Sequence, residues 1–290
     1  MDFGNISTAM VTPFDTKGNI DFNKTSLLIE YLLQNGSDSL VVAGTTGESP
    51  TLTKEEKLAL FKHVVSKVNG RVPVIAGCGS NNTKASIELS VKAQEIGVDA
   101  IMLVSPYYNK PSQEGMYAHF KEIAKNLELP IMLYNIPGRT SINIEPETII
   151  RLSEIDNIVA VKEASGNLDN MAMIISQTSD EFVLYSGDDS STLPVLSIGG
   201  KGIVSVSSHI IGNQMQDMIE SFQTGELKQA AKLHGELLPV MKELFSAPSP
   251  APVKTALQMK GIDVGSVRLP LLPLNENERM KLYEKLKTIL

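Results

Sequence analysis

"IVAVKEAS", residues 158 to 165, runs four apolar residues, Ile158 to Val161, straight into Lys162 and Glu163. An unbroken apolar run rich in β-branched residues is expected of a parallel strand covered on both faces, not of a strand with one wet side. If such a strand ends in a lysine, the lysine stands at its C-terminal tip. Seven further runs accompany it: "NISTAMVTPF" from Asn5, "SLVVAG" at 39 to 44, "VPVIAGCG" at 72 to 79, "AIMLVSP" at 100 to 106, "PIMLYNIP" at 130 to 137, "EFVLYSGDD" at 181 to 189 and "GIVSVSS" at 202 to 208.

Segments long enough for one helix each separate these runs. The clearest covers 53 to 68, where Thr53 and Glu56 form a capping-box pattern and Phe61, Val64, Val65 and Val68 share a face. Another begins near Ser112 and aligns Tyr117, Phe120, Ala124 and Leu127; a third follows Pro146 and aligns Ile149, Leu152 and Ile155. The short similarity between "NGSDSLVVAG" and "IGVDAIMLVSP" agrees with repeated βα units. Eight strands alternating with helices predict an α/β fold, a closed (β/α)8 TIM barrel whose last strand pairs with its first. The rival is an open doubly wound sheet, which would usually carry a Gly-x-Gly-x-x-Gly turn after its first strand, and "AMVTPFDTKG" has none.

Strand signals stop after about residue 212. Helical patterns follow at 213 to 223 and 226 to 245, then the proline-rich "SAPSPAP", then "VKTALQMKG", then a final helix at about 276 to 289. We expect a catalytic barrel over residues 1–225 and a helical extension over 226–290. The extension should pack on the barrel, because roughly 65 residues without a disulfide or metal are marginal alone.

Composition narrows the partners. The 33 acidic residues outweigh 26 basic ones, giving a net charge of -7, and no Lys/Arg cluster is dense enough to track a phosphate backbone. Neither nucleic acid nor an anionic membrane is an expected partner. Cys78 is the single cysteine and has no internal disulfide partner, which points to an intracellular protein. Asp2 and Asn5 interrupt the start, so no signal peptide is expected, and no apolar stretch of about 18 residues offers a membrane span. The expected location is the cytoplasm.

Barrels of this kind place their chemistry at the C-terminal strand ends. Here those ends are polar: "GTTGES" with Thr45, Thr46 and Glu48; "SPYYNKP" with Tyr107, Tyr108 and Asn109; "YNIPGRT" with Tyr134, Asn135, Arg139 and Thr140; Lys162 and Glu163; and "SGDD" with Gly187, Asp188 and Asp189. The bland account of Lys162 is a solvated loop charge paired with Glu163. The sharper one starts from desolvation in a barrel mouth, which favours a neutral amine, the species that attacks a carbonyl. A Schiff base on Lys162 would then serve as an electron sink for making or breaking carbon–carbon bonds. Tyr134, one strand over, is either a proton donor and acceptor for the carbinolamine or a rim aromatic filling space. Arg139 either clamps a substrate carboxylate or makes a surface ion pair. The "GTTGES" turn either cradles an anion with Thr45 and Thr46 or is an ordinary βα connection. Tyr107 and Tyr108 are packing or subunit-contact residues on composition alone.

Metal chemistry has little support. His63, His119, His209 and His234 are scattered without ligand spacing, and the pair Asp188 and Asp189 is more often a wet loop than a cation site. Neither a nucleophile elbow nor a P-loop is present.

Taken together, "GTTGE", "SPYYNKP", "YNIPGRT" and "VAVKEASG" resemble the pyruvate-dependent class I aldolase and lyase family typified by dihydrodipicolinate synthase. The resemblance runs over essentially the whole chain, including "GGKGIVSV" at 199 to 206 and "SPAPVKTALQMKG". It implies a carbon–oxygen lyase whose Lys162 forms a Schiff base with pyruvate, with no cofactor beyond that covalent adduct. The enamine then attacks L-aspartate 4-semialdehyde. The resemblance further implies that Tyr134 shuttles protons, linked through Thr45 to Tyr108 from a neighbouring subunit. Thr46 would hold the pyruvate carboxylate, Arg139 would receive that of the semialdehyde, and the backbone at Gly187 and Val204 would line the pocket. The chain would then be a homodimer or homotetramer.

Relatives that cleave sialic acids or sugar-derived keto acids share the lysine and tyrosine but typically lack an arginine at the position of Arg139. An arginine suits a short aldehyde carrying its own carboxylate, which favours the synthase reaction of the diaminopimelate route to L-lysine over N-acetylneuraminate cleavage. A keto-acid-binding regulator is the non-enzymatic alternative, and the full set of Thr45, Tyr108, Tyr134, Arg139 and Lys162 argues against it. Many relatives are inhibited by lysine through positions matching Ser49, Pro50, Lys54, Lys57, Asn81, Ala85 and Tyr107. Lys54, Lys57 and Ala85 stand where inhibited enzymes often carry histidines or a glutamate, so weak or absent feedback is expected.

Overall fold

A computed structural model describes residues 2–287 and residue 289. Eight parallel strands form a closed barrel: β1 (Ile6–Ala9), β2 (Ser39–Val42), β3 (Val74–Gly77), β4 (Ala100–Val104), β5 (Ile131–Asn135), β6 (Ile158–Glu163), β7 (Val183–Ser186) and β8 (Gly202–Ser205). β8 pairs with β1, with Val204 opposite Ser7. The outer helices are α1 (Phe22–Gln34), α2 (Lys54–Val68), α3 (Thr83–Ile96), α4 (Gln113–Ala124), the single turn α5 (Pro137–Thr140), α6 (Pro146–Ser153), α7 (Leu168–Gln177) and α8 (Thr192–Ser197). After β8 come α9 (Ser208–Gln223), α10 (Leu227–Glu243), α11 (Ala251–Met259) and α12 (Glu276–Leu286).

The local signals act as their chemistry requires. The Thr53 hydroxyl accepts the Glu56 N–H at 3.1 Å while the Glu56 carboxylate accepts the Thr53 N–H at 2.9 Å, so two otherwise orphaned donors at the start of α2 are satisfied. Ser112 caps α4 by accepting the Gly115 N–H. Leu28, Ile29 and Leu32 put one face of α1 on the sheet, each fully buried and each contributing about 1.5–3 kcal/mol relative to exposure. Among the described residues, no helix is long and apolar enough to cross a membrane.

Alternation along the strands sorts side chains into two layers. Ala9, Val41, Ile75, Met102, Met132, Tyr134, Ala160, Tyr185 and Val204 fill the lumen, whereas Leu40, Ile101, Leu133, Val161, Leu184 and Ile203 meet the helices. Phe3 plugs the floor against Tyr185, whose hydroxyl donates to the Gly4 carbonyl at 3.0 Å. One irregularity decides where the lysine goes. The β5–β6 register slips between Ile131 and Met132, which pair with Ile158 and Ala160, so Val159 is the extra residue. Ile158 faces the helices; strict alternation from it would turn Lys162 the same way. The bulge reverses the phase, so Ala160 and Lys162 face the lumen and Val161 and Glu163 face out.

Candidate active site

Lys162 lies in one cross-strand row with Tyr134 of β5 and Tyr185 of β7. Lys162 is 5% exposed, and its Nζ stands 4.2 Å from the centroid of the Tyr134 ring. Space for it is made by Gly187, just past β7. A Cβ there would sit 2.7 Å from the Ala164 Cβ and 3.1 Å from the Lys162 Cε. Val204, buried in the lumen at the end of β8, completes the surroundings.

Above this row opens a cavity of ≈ 310 Å³, within the usual range for small-molecule sites. Tyr134, Thr45 and Arg139 line it, with Tyr107, Lys57, Ser80 and Thr140. Arg139 is carried on α5, the single turn after β5, and is exposed. Thr45 is half-buried and Thr46 buried, in the turn after β2. That turn begins with Ala43 at φ 53, a left-handed value for a residue with a Cβ, which costs about 1–2 kcal/mol. The neighbouring wall, after β3, carries two glycines. A Cβ on Gly77 would lie 2.5 Å from the Ala43 carbonyl oxygen, and one on Gly79 would lie 2.3 Å from the Val104 nitrogen. Burial pulls the Lys57 amine below the usual lysine range. With Arg139 it makes the cavity cationic at two points, suited to carboxylates.

Not every polar strand end faces this cavity. Glu163 is 1% exposed and turned outward; its Oε2 accepts the Asn135 amide at 2.8 Å and its Oε1 accepts the Ser165 N–H at 2.6 Å. Asn135 also accepts the Ile144 N–H at 3.0 Å and donates to Asn143 Oδ1 at 2.8 Å. Glu163 and Asn135 thus brace both ends of the loop that holds Arg139. Burial raises the Glu163 carboxyl above its ordinary range, against the opposing effect of its bonds to Asn135 and Ser165. Asp189 is buried among the Ser205 and Ser207 hydroxyls and the Val206 and Ser207 N–H groups. Glu48 also points away, toward α11. Tyr108 is 89% exposed at φ 70 and lies outside its own chain's cavity, while Tyr107 lines it. Among the described residues, no three His, Cys, Asp or Glu side chains converge as metal ligands.

The sequence pattern of the dihydrodipicolinate synthetase family matches residues 2–289. The chain belongs to the dihydrodipicolinate synthetase family. Within that family it is 67% identical to the 4-hydroxy-tetrahydrodipicolinate synthase of Bacillus velezensis over 282 residues, 97% of this chain and 98% of that one. It is 66% identical to the synthase of the same name from Bacillus subtilis over 283 residues, again 97% and 98%. The crystal structure of a dihydrodipicolinate synthase from Bacillus anthracis superposes with a TM-score of 0.99 at 64% identity, covering 100% of this chain and 99% of that one.

In this member of the dihydrodipicolinate synthetase family, sequence reasoning placed Lys57 only among the feedback positions and missed Gly77, Gly79 and Ser80 as cavity residues. The pair of glycines in "AGCGS" was the available signal, since two glycines one residue apart at a strand end mark close backbone approach.

Proposed function

We infer that this chain condenses pyruvate with L-aspartate 4-semialdehyde, the synthase step of the diaminopimelate route to L-lysine, through a Schiff base on Lys162. The observation that carries the assignment of Lys162 is a buried, lumen-facing amine against the Tyr134 ring, beside a cavity with an arginine at its rim. The neutral amine adds to the keto carbon of pyruvate. The resulting carbinolamine loses water to give an imine, and loss of a methyl proton gives an enamine. The enamine carbon attacks the aldehyde carbon, whose oxygen takes up a proton. Attack by the semialdehyde's own amine on the imine carbon then closes the ring and frees Lys162.

In this reading Tyr134 moves the protons, relayed through Thr45 to Tyr108 of a neighbouring copy. The exposure of Tyr108, at 89%, supports that last assignment. Thr46 holds the pyruvate carboxylate, Arg139 takes that of the semialdehyde, and Gly187 and Val204 line the space around the imine. The assembly is then a homodimer, alone or paired into a homotetramer. We further take residues 226–290 as an extension of the barrel 1–225.

The test is a pair of assays on the purified protein. Condensation of pyruvate with the semialdehyde is expected, and cleavage of N-acetylneuraminate is not. Cleavage without condensation would move the chain to the sugar keto-acid aldolases.

A further inference from the structure

Glu48 and Lys254 form an ion pair buried on both sides. Glu48 Oε1 lies 2.6 Å from Lys254 Nζ, with side chains 1% and 2% exposed. Two charges withdrawn from water at the junction of the barrel with its extension need further partners. The second carboxylate oxygen of Glu48 accepts the Arg268 N–H at 2.8 Å, and the Lys254 ammonium donates to the Ser266 carbonyl at 2.8 Å. The same ammonium stands 4.2 Å from the centre of the Phe14 ring, which the Arg268 guanidinium also covers at 4.4 Å. Arg268 donates to the carbonyls of Gly18 and Thr51 and pairs with Glu56 of α2. Burial draws the Lys254 amine down to about 8, and the adjacent Glu48 charge works against that fall.

The pair is one turn away from the cavity. Glu48 ends the turn that carries Thr45 and Thr46: its N–H donates to the Thr45 carbonyl at 3.0 Å, and the following Ser49 N–H donates to the Gly44 carbonyl at 3.2 Å. Glu48 holds φ 57, left-handed for a residue with a Cβ, a conformation that persists only where its surroundings dictate it. Thr12 adds a bond to the Gly47 carbonyl at 2.7 Å. A carboxylate fixed by α11 and the Ser266 to Arg268 segment therefore fixes the backbone of the two threonines.

We propose that Glu48 and Lys254 are positioning residues for pyruvate, through which the C-terminal extension sets the turn holding Thr45 and Thr46. The inference rests on the assignment of the pyruvate carboxylate to Thr46. It predicts a split between the two substrates, because Arg139 sits on a different loop braced by Glu163 and Asn135. A pair that served stability alone would move neither KM.

The experiment compares K254M, the doubly neutral E48Q/K254M, and T46A, each first checked for folded content by circular dichroism. In K254M, KM for pyruvate should rise on the order of tenfold or more, as expected for displaced binding groups. KM for the semialdehyde should stay at the wild-type value, and the pyruvate concentration needed for half-maximal borohydride trapping on Lys162 should rise with the first constant. Should K254M fail to fold, E48Q/K254M carries the test, since it buries no unpaired charge. A folded variant with wild-type KM for pyruvate, or with both KM values raised alike, overturns the proposal. T46A separates the two levels: if it leaves KM for pyruvate unchanged, the assignment of Thr46 falls and takes this inference with it. If T46A raises KM while the Lys254 variants do not, only the inference falls.

Discussion

Replacing Glu163 by glutamine tests whether this carboxylate braces the Arg139 loop or takes part in the chemistry beside Lys162. The glutamate offers two acceptor oxygens, and both are used, by the Asn135 amide at 2.8 Å and the Ser165 N–H at 2.6 Å. Glutamine has one acceptor, so its NH2 must face one of these donors. Asn135 cannot turn its amide to compensate, because that would sacrifice its bonds to the Ile144 N–H and to Asn143. One buried donor is left without a partner, at a cost of about 1–3 kcal/mol. E163L removes both acceptors and should lose about twice as much. Stability is read by urea unfolding and activity by initial rates with each substrate varied. E163Q should unfold earlier and show a raised KM for the semialdehyde, while borohydride still traps pyruvate on Lys162. Wild-type stability together with a fall in kcat alone would refute the bracing account and make Glu163 a participant in proton transfer.

Other outcomes follow from single side chains. G187A places a methyl 3.1 Å from the Lys162 Cε and 2.7 Å from the Ala164 Cβ; displacing the amine should lower kcat/KM on the order of 10²-fold, and a near-wild-type rate would contradict the packing around the lysine. His209 is locked neutral, its Nδ1–H donating to the Val206 carbonyl and its Nε2 accepting the Val11 N–H, and burial takes it from 6.5 down to about 4. The unfolded chain therefore binds the extra proton between pH 6.5 and 4, so this stabilisation is complete above that window and is lost as pH falls through it, by about 3 kcal/mol in total. Glu163 and Asp189, raised by burial, act in the opposite sense, so the difference in unfolding free energy between wild type and H209Q across that range isolates the histidine; parallel curves would refute its role. Millimolar L-lysine should inhibit weakly or not at all, because Lys54 and Lys57 add positive charge where a cationic ligand would bind and Ala85 supplies no acidic partner; clear inhibition would overturn that expectation.

The barrel was legible because continuous apolar runs and capping patterns are local properties. The Thr53 and Glu56 box starts α2, and β6 ends at Glu163, just past the tip read as Lys162. The helical segment predicted from 226 to 245 is α10, and "VKTALQMKG" falls largely within α11. The direction of each side chain was less legible. Periodicity alone gave no sign of the slip at Val159 that turns Lys162 into the lumen, because a bulge arises from pairing with β5 and not from the run itself. For the same reason Lys162 and Glu163 looked alike in sequence, yet one lines the lumen and the other holds a loop. Glu48 likewise read as a mouth residue, since its partner Lys254 lies over two hundred residues away in the chain. Long-range ion pairs of that kind leave no local pattern.

Everything proposed for the site turns on Lys162 being the amine that captures pyruvate. Incubation with pyruvate, reduction with borohydride and peptide mass analysis test it directly. One reduced pyruvate adduct per chain is expected, located on Lys162 and abolished in K162A. A folded, active enzyme with no adduct, or with its adduct on Lys57 or another lysine, would contradict it.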